Sequence, residues 1–399
     1  MWRFWIDVGG TFTDCLALSP TDEILERKTL SSGRIKGQAR GVERDGDSIW
    51  IVDALRTSDV EDFWKDWSFD IVDEHGATTW SGKVLRSHPE RGIQVTTADG
   101  DHEIAVGAGY ELSSELEAPV VCIRQVLGLA MSVPVPEVDV RLGTTRGTNA
   151  LLERKGARTA LVTTQGFGDV LHIGSQERPH LFELSIRKSQ PLCETEVEIE
   201  ERIDTNGQVL KSPQAHRIRE QLQQLLDDGI QSLAICFVNA FQNAEHELLV
   251  EKIARELGFS QISRSSEVAP AIKFVPRTQT TVLDAYLTPI LQEYVERISR
   301  QLGNPRQFRM MTSAGGLIDA RQFRGKDSIL SGPAGGVVGF SRIAEQAGFA
   351  RSIGFDMGGT STDVSRYDGH LELEFETQKA GVRIMTPVLA IETVAAGGG

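Results

Sequence analysis

The chain has 399 residues, 40% apolar and 25% charged, which is room for two or more domains and the balance of an ordinary globular protein. Its 42 Lys and Arg against 56 Asp and Glu give a formal charge of −14, which argues against a nucleic-acid surface and gives no support for an anionic membrane surface. The cysteines Cys15, Cys122, Cys193 and Cys236 are far apart, so they read as reduced thiols rather than a zinc site or a disulfide frame. No stretch free of charges and turn residues reaches membrane-spanning length, the opening "MWRFWIDVGG" shows no cleavable signal pattern, and the expected location is cytoplasmic.

In chain order, Phe4 and Ile6 alternate as in a strand that runs into "DVGGTFTD", Asp7 to Asp14. An apolar run, Cys15 to Leu18, a turn signal "SPTDE" and a further strand-like run follow. Residues 34–112 differ in character. They hold Trp50, Trp64, Trp67 and Trp80, with a hairpin expected around "ADGD", and read as a small β-rich insertion without recognisable chemistry.

Beyond it the pattern is α/β. "VDVRLGTT" is a strand feeding a helix, "RGTNALLERKG", with Gly156 as its expected C-cap; "RTALVTT" is a buried strand. Ile218, Leu222, Leu225 and Leu226 form a helical stripe ending near Gly229, and "SLAICFVNAF" reads as a strand covered on both faces. "AEHELLVEKIAREL" is a helix stopped by Gly258, and the longest helix is expected over 280–302, with Pro289 as a possible kink. "QFRMMTSAGGL" is a strand running into a glycine turn, and "SGPAGG", Ser331 to Gly336, reads as a glycine-rich loop before an apolar helix.

Asp356 to Asp363 then reads "DMGGTSTD", matching the first octet at six of eight positions. Ile353 and Phe355 occupy the places of Phe4 and Ile6, and Val364 to Tyr367, the turn "DGH" and a third strand-like run repeat the rest. One such meander is any hairpin, whereas two sharing a turn point to a duplicated domain. Glycines at a strand end let the backbone bend and let an anion approach, and Thr11, Thr13, Thr360 and Thr362 add hydroxyl donors. Asp7, Asp14, Asp356 and Asp363 have the wrong charge for a phosphate unless a cation sits between, which Mg²⁺ would supply. Two such clamps could grip one polyphosphate from both sides.

The paired turns resemble the phosphate motifs of the actin, Hsp70 and sugar-kinase ATPase superfamily. The wording "DVGGTFTD", "LGTTRGTNALLERKG", "LVTTQGFGDVLHIG", "LSGPAGGVVG", "GFDMGGTSTDVSRY" and "TVAAGGG", in this order, resembles more narrowly the A-type half of the hydantoinase/oxoprolinase family. The resemblance covers roughly residues 3–31 and 138–399, and the 34–112 stretch departs from it. It implies two actin-like (ribonuclease-H-like) lobes: 1–195 with the insertion, a middle α/β region over 196–350, and the start of a second lobe over 351–399. The chain stops in mid-motif, so it reads as a fragment whose second lobe is truncated.

The resemblance also implies ATP and Mg²⁺ as cofactors. The implied activity is hydrolysis of a small cyclic amide, 5-oxoproline first, through phosphorylation of its carbonyl oxygen. The implied partner is a B-type half, fused or separate, in a homo- or hetero-oligomer. N-methylhydantoinase and ATP-dependent ketone carboxylase are the near alternatives, and a kinase-like or non-catalytic ATPase module is the distant one. Carried over by motif, Asp7, Gly9, Gly10, Thr11, Thr13 and Asp14 form one phosphate turn, and Asp356, Gly358, Gly359, Thr360, Thr362 and Asp363 the other. Gly397 and Gly398 begin a nucleotide-side glycine loop, and Asp7 and Asp356 are the catalytic and metal-ordering candidates.

Thr144, Thr145 and Asn149, at a strand-to-helix junction, are candidate substrate contacts against the alternative of plain N-capping. Arg178 is the candidate partner of a substrate carboxylate, while His172 reads as structural. "SGPAGG" reads equally as an anion-holding loop and as a packing turn, and Cys15 as core rather than nucleophile.

Overall fold

The computed structural model describes residues 1–56, 59–96, 104–175, 182, 188–358 and 362–394. The chain divides into two compact units, Met1–Leu142 with Val295–Arg309, and Gly143–Tyr294 with Met310–Gly399. The fold is mixed α/β with several sheets.

In the first unit the strands Trp2–Val8, Phe12–Leu18 and Ile24–Leu30 form the antiparallel meander read from the sequence. Phe4 and Cys15 point to one face and are buried there with Ile6 and Ala17. The helix Ala118–Leu127 packs on these strands; Pro119 opens it and Gly128, at φ 63, closes it. The helix has no readable period because Ala118 to Ile123 are all apolar and buried, so nothing polar marks an outer face over its first turns.

The insertion is all β. Its strand order runs Ile35–Gln38, Gly109–Ser113, Ser68–Val72, Thr78–His88, Gly92–Thr96, Ser48–Val52, Gly41–Asp45. The first and last strands of that order are one chain segment, interrupted only at Ala39 and Arg40. The Ala39 N–H donates to the Ala108 carbonyl at 2.9 Å and the Arg40 N–H to the Val52 carbonyl at 2.8 Å. The segment therefore pairs with one neighbour before the kink and another after it, and the sheet closes into a small barrel without a long free edge. Trp64, Trp67, Phe69, Tyr110, Ile51 and Ile93 fill it. The expected "ADGD" hairpin lies outside the described residues.

Gly92 turns this barrel at φ +87, and a Cβ there would sit 2.0 Å from the Ile51 carbonyl oxygen. Left-handed strain of about 1–2 kcal/mol and overpacking of about 1–3 kcal/mol both apply. Gly92→Ala is expected to destabilise the protein by about 2–5 kcal/mol, read as a lowered urea midpoint.

The second unit holds a four-stranded parallel sheet, ordered Thr195–Ile199, Thr159–Thr164, Ser232–Cys236, Gln261–Arg264. Helices Ala215–Asp227 and Glu245–Leu257 share a core with it through Ile218, Leu222, Leu225, Val250 and Ile253. Gly258, at φ 95, caps the second helix as its sequence position implies. The longest helix starts earlier than expected, spanning Phe274–Gln301 with Pro289 inside it.

Gly156 is not a cap. The helix before it, Arg146–Leu152, ends at Glu153, and Arg154 takes the left-handed turn at φ 56. A Cβ at Gly156 would lie 2.1 Å from the Tyr286 ring, so this glycine makes room for that ring.

The second octet forms the hairpin Arg351–Met357 and Thr362–Asp368. Its third strand corrects the sequence expectation. The run after "DGH" supplies Leu373–Glu374, which pairs with Val388–Leu389, and the place beside Thr362–Asp368 is taken by Ile391–Val394.

Candidate functional site

Both octets fold alike. Asp7 stands opposite Asp14 and Val8 opposite Thr13; Asp356 stands opposite Asp363 and Met357 opposite Thr362. Each hairpin thus sets two carboxylates directly across from one another, an arrangement that costs repulsion unless a counter-charge or hydrogen bond intervenes. In the first hairpin Lys28 supplies it, its Nζ 2.7 Å from Asp14 Oδ1. In the second, Thr393 Oγ1 donates to Asp363 Oδ1 at 2.8 Å. Neither Lys28 nor Thr393 was singled out in the sequence; each is brought in by strand register alone.

The first turn is closed by the Gly9 N–H, which donates to the Phe12 carbonyl at 3.0 Å, while Ser31 Oγ donates to the Gly9 carbonyl at 2.8 Å. A Cβ at Gly9 would come within 3.0 Å of that Phe12 oxygen, so the turn requires glycine. Gly10 and Thr11 are exposed on it. Thr13 is fully buried, its hydroxyl 3.1 Å from Ser31 Oγ, and Thr362 is buried in the matching place. These two threonines therefore hold the hairpins from inside, while Asp7, Asp14, Asp356 and Gly358 are exposed. Gly359, Thr360, Gly397, Gly398 and Arg178 lie outside the described residues.

The second unit brings three glycine- and hydroxyl-rich motifs together. At the "LGTT" strand end, the Thr144 N–H donates to Ser331 Oγ at 3.2 Å, and Thr148 Oγ1 donates to the Ile329 carbonyl. Ser313 of "SAGG" donates to the Asp327 carbonyl at 2.8 Å and accepts from the Leu330 N–H at 3.0 Å. Burial pushes the Asp327 carboxyl above its ordinary range. Gly147 is needed here, because a Cβ would fall 2.1 Å from Ser328 Oγ. Thr144 is buried and its Oγ1 accepts the Arg146 N–H at 3.1 Å, bracing the turn ahead of the helix that Thr145 caps. Thr145 and Asn149 stay half-buried, with the Asn149 amide donating to Thr145 Oγ1 at 3.4 Å.

"SGPAGG" is not a loop. It forms the first turns of the helix Ser331–Gln346. Nothing crowds Gly335 or Gly339, and a Cβ at Gly336 would stand 3.9 Å from Asp356 Oδ2. Packing does not explain these glycines, although each costs a helix about 1 kcal/mol. The bare helix surface beside the Asp356 carboxylate was visible in the sequence only as a glycine cluster. Two positions before Asp356 on the strand, at Gly354, the Phe340 ring takes the space of a side chain.

His172 is exposed and its Nε2 lies 3.2 Å from Glu196 Oε1, while Cys15 is buried. Among the described residues no group of three or more His, Cys, Asp or Glu could hold a metal ion. No helix among them is long and apolar enough to cross a membrane.

Two family models match the chain: "Hydantoinase/oxoprolinase N-terminal region" over residues 95–258 and "Hydantoinase/oxoprolinase" over residues 277–399. The chain belongs to the hydantoinase/oxoprolinase family. It is 44% identical to 5-oxoprolinase of Saccharomyces cerevisiae over 322 residues, which is 71% of this chain and 25% of that protein. It is 28% identical to the acetophenone carboxylase gamma subunit of Aromatoleum aromaticum, over 76% of this chain and 45% of that one. In fold it resembles the ATP-dependent caprolactamase from Pseudomonas jessenii, with a TM-score of 0.69 at 24% identity, covering 100% of this chain and 48% of that one. The chain thus spans about a quarter of the length of the yeast relative.

Proposed function

We propose that this chain is the ATP-using part of an enzyme that opens a small cyclic amide, with 5-oxoproline as the first candidate substrate. The observation that carries this reading is the pair of hairpins with identical aspartate register, Asp7 opposite Asp14 and Asp356 opposite Asp363, in a chain so similar to 5-oxoprolinase. The same register supports a duplicated actin-like lobe as the finer description of the fold.

In the proposed reaction the amide carbonyl oxygen takes the terminal phosphoryl group of ATP and ADP leaves. Water then adds to the activated carbon and the ring C–N bond breaks with a proton passing to nitrogen, leaving a glutamyl phosphate that a second water hydrolyses to glutamate and phosphate. Gly10 and Thr11 present an exposed strand-end turn to phosphate oxygens, and the bare surface at Gly335, Gly336 and Gly339 lets a nucleotide approach beside Asp356. Thr145 and Asn149 orient the amide. The exposed carboxylates suit a magnesium ion, which takes one or two carboxylates and keeps its waters and phosphates as its other ligands. One of Asp7 and Asp356 would order it, directly or through water, and it would supply charge compensation at the phosphates. A B-type half, fused or separate, completes ring opening in this reading, and the assembly is an oligomer that works in the cytoplasm.

The similarity to a carboxylase subunit supports a second reading, in which the same ATP step activates a ketone. Phosphate release from ATP by the protein together with its B-type half separates the two. Stimulation by 5-oxoproline is expected, with hydantoin and N-methylhydantoin as comparisons. Stimulation only by a ketone with bicarbonate would replace the amide reading, and release indifferent to all of them would leave a kinase-like or non-catalytic ATPase.

A further inference from the structure

A cleft of the first unit lies where the barrel meets the meander. This cleft of about 540 Å³ is walled by Arg27 and Lys28 of the third meander strand, Leu55, Arg56, Asp59 and Val60 of the barrel's connecting segment, and Leu127 at the end of the covering helix. Its charge is unusual for a chain this acidic. Arg27 is exposed, donates to the Glu26 carbonyl at 2.9 Å, and makes no ion pair among the described residues. Arg56 donates through Nη2 to the Lys36 carbonyl at 2.8 Å and lies 5.1 Å from the Trp64 ring, while its Nε is buried without a hydrogen-bond partner. Asp59 accepts from Trp64 Nε1 at 2.6 Å, and both guanidiniums are within electrostatic reach of its carboxyl, which burial pushes upward.

Lys28 is already paired with Asp14, so two guanidiniums, one carboxylate and an apolar wall define a complementary ligand. It carries two anionic groups, one cationic group and a short aliphatic chain. Guanidiniums match carboxylates as two-pronged, charge-assisted donors. We infer that this cleft binds an acidic α-amino acid, its two carboxylates on Arg27 and Arg56 and its ammonium on Asp59. The site lies outside the proposed reaction centre and stands without it. If that reaction yields glutamate, the cleft is a product sensor, a step that alone rests on the proposed function. The strand that supplies Arg27 also supplies Lys28, whose ammonium holds Asp14 of the first turn, so occupant and turn share one strand.

The test is calorimetric titration of the 399-residue chain, without nucleotide, with L-glutamate, glutarate and L-glutamine. L-glutamate is expected to bind more tightly than glutarate, which lacks the ammonium, and than L-glutamine, which lacks the second carboxylate. Arg56→Met is expected to weaken L-glutamate at least about tenfold, the loss of one charged hydrogen-bonding partner. Arg27→Met, at an exposed side chain whose loss leaves the fold alone, is expected to do the same if Arg56→Met melts early. Asp59→Asn keeps the acceptor for Trp64 and should weaken L-glutamate while sparing glutarate. No binding to the unaltered chain, or L-glutamate binding unchanged in Arg27→Met, overturns the proposal. Binding in a reaction centre would not respond to these three residues, so failure here and failure of the amide reading are distinguishable.

Discussion

Asp356→Asn is expected to lower ATP turnover by about 10²–10³-fold, the scale lost when one preorganised group facing developing charge is removed. The substitution keeps the shape of the side chain and removes only its charge. Asp356 is exposed and borders the open glycine surface at Gly336, so the thermal midpoint should stay where it was. Asp363→Asn is expected to cost less, because that carboxylate already accepts the Thr393 hydroxyl and an amide oxygen can do the same. The measurement is phosphate release by the protein together with the proposed B-type half, alongside a melt of each variant. Turnover unchanged in Asp356→Asn would remove the second hairpin from the reaction.

The largest stability effect is expected at Phe4, and the repeat supplies its own control. Phe4 is fully buried in the first meander under the helix Ala118–Leu127, and its counterpart Ile353 is 75% exposed. Phe4→Ala should cost about 3–5 kcal/mol, the transfer of a phenyl ring plus the cavity it leaves. Ile353→Ala should stay within about 0.5 kcal/mol, as surface substitutions do. Urea unfolding of both variants checks the pair, and equal losses would mean that the second hairpin's face is covered in solution. Ile353, Phe355 and Met357 alternate along one strand and are all exposed, so they present one apolar stripe. Replacing Ile353 and Phe355 by threonine is expected to reduce self-association measured by light scattering.

The elements that repeat or alternate locally were legible in the sequence. The two meanders were carried by the doubled octet and the alternation around it, and the parallel sheet by apolar runs set between amphipathic helices. Features decided by distant partners were not. Strand Ile391–Val394 displaces the nearer run at Leu373 because strand pairing is settled by the sheet, not by adjacency. Gly156 looked like a cap because a glycine after a helix usually is one, and the Tyr286 ring that requires it lies far along the chain. "SGPAGG" looked like a loop because glycine disfavours helices, yet an open face beside Asp356 outweighs that preference. The glycines and aspartates of the site were readable; the convergence of "LGTT", "SAGG" and "SGPAGG" through Ser313, Ser328 and Ser331 was not, because hydrogen bonds between loops leave no period.

A Cβ on Gly33, where the chain departs for the barrel, would stand 3.0 Å from the Leu116 carbonyl oxygen, where it returns. The polypeptide thus leaves and comes back at one point. A module whose two ends nearly touch can be excised or exchanged by one in-frame event, without stretching its host. The barrel is in that sense a detachable cartridge, one that can be gained, lost or swapped while the glycine turns of its host keep their register.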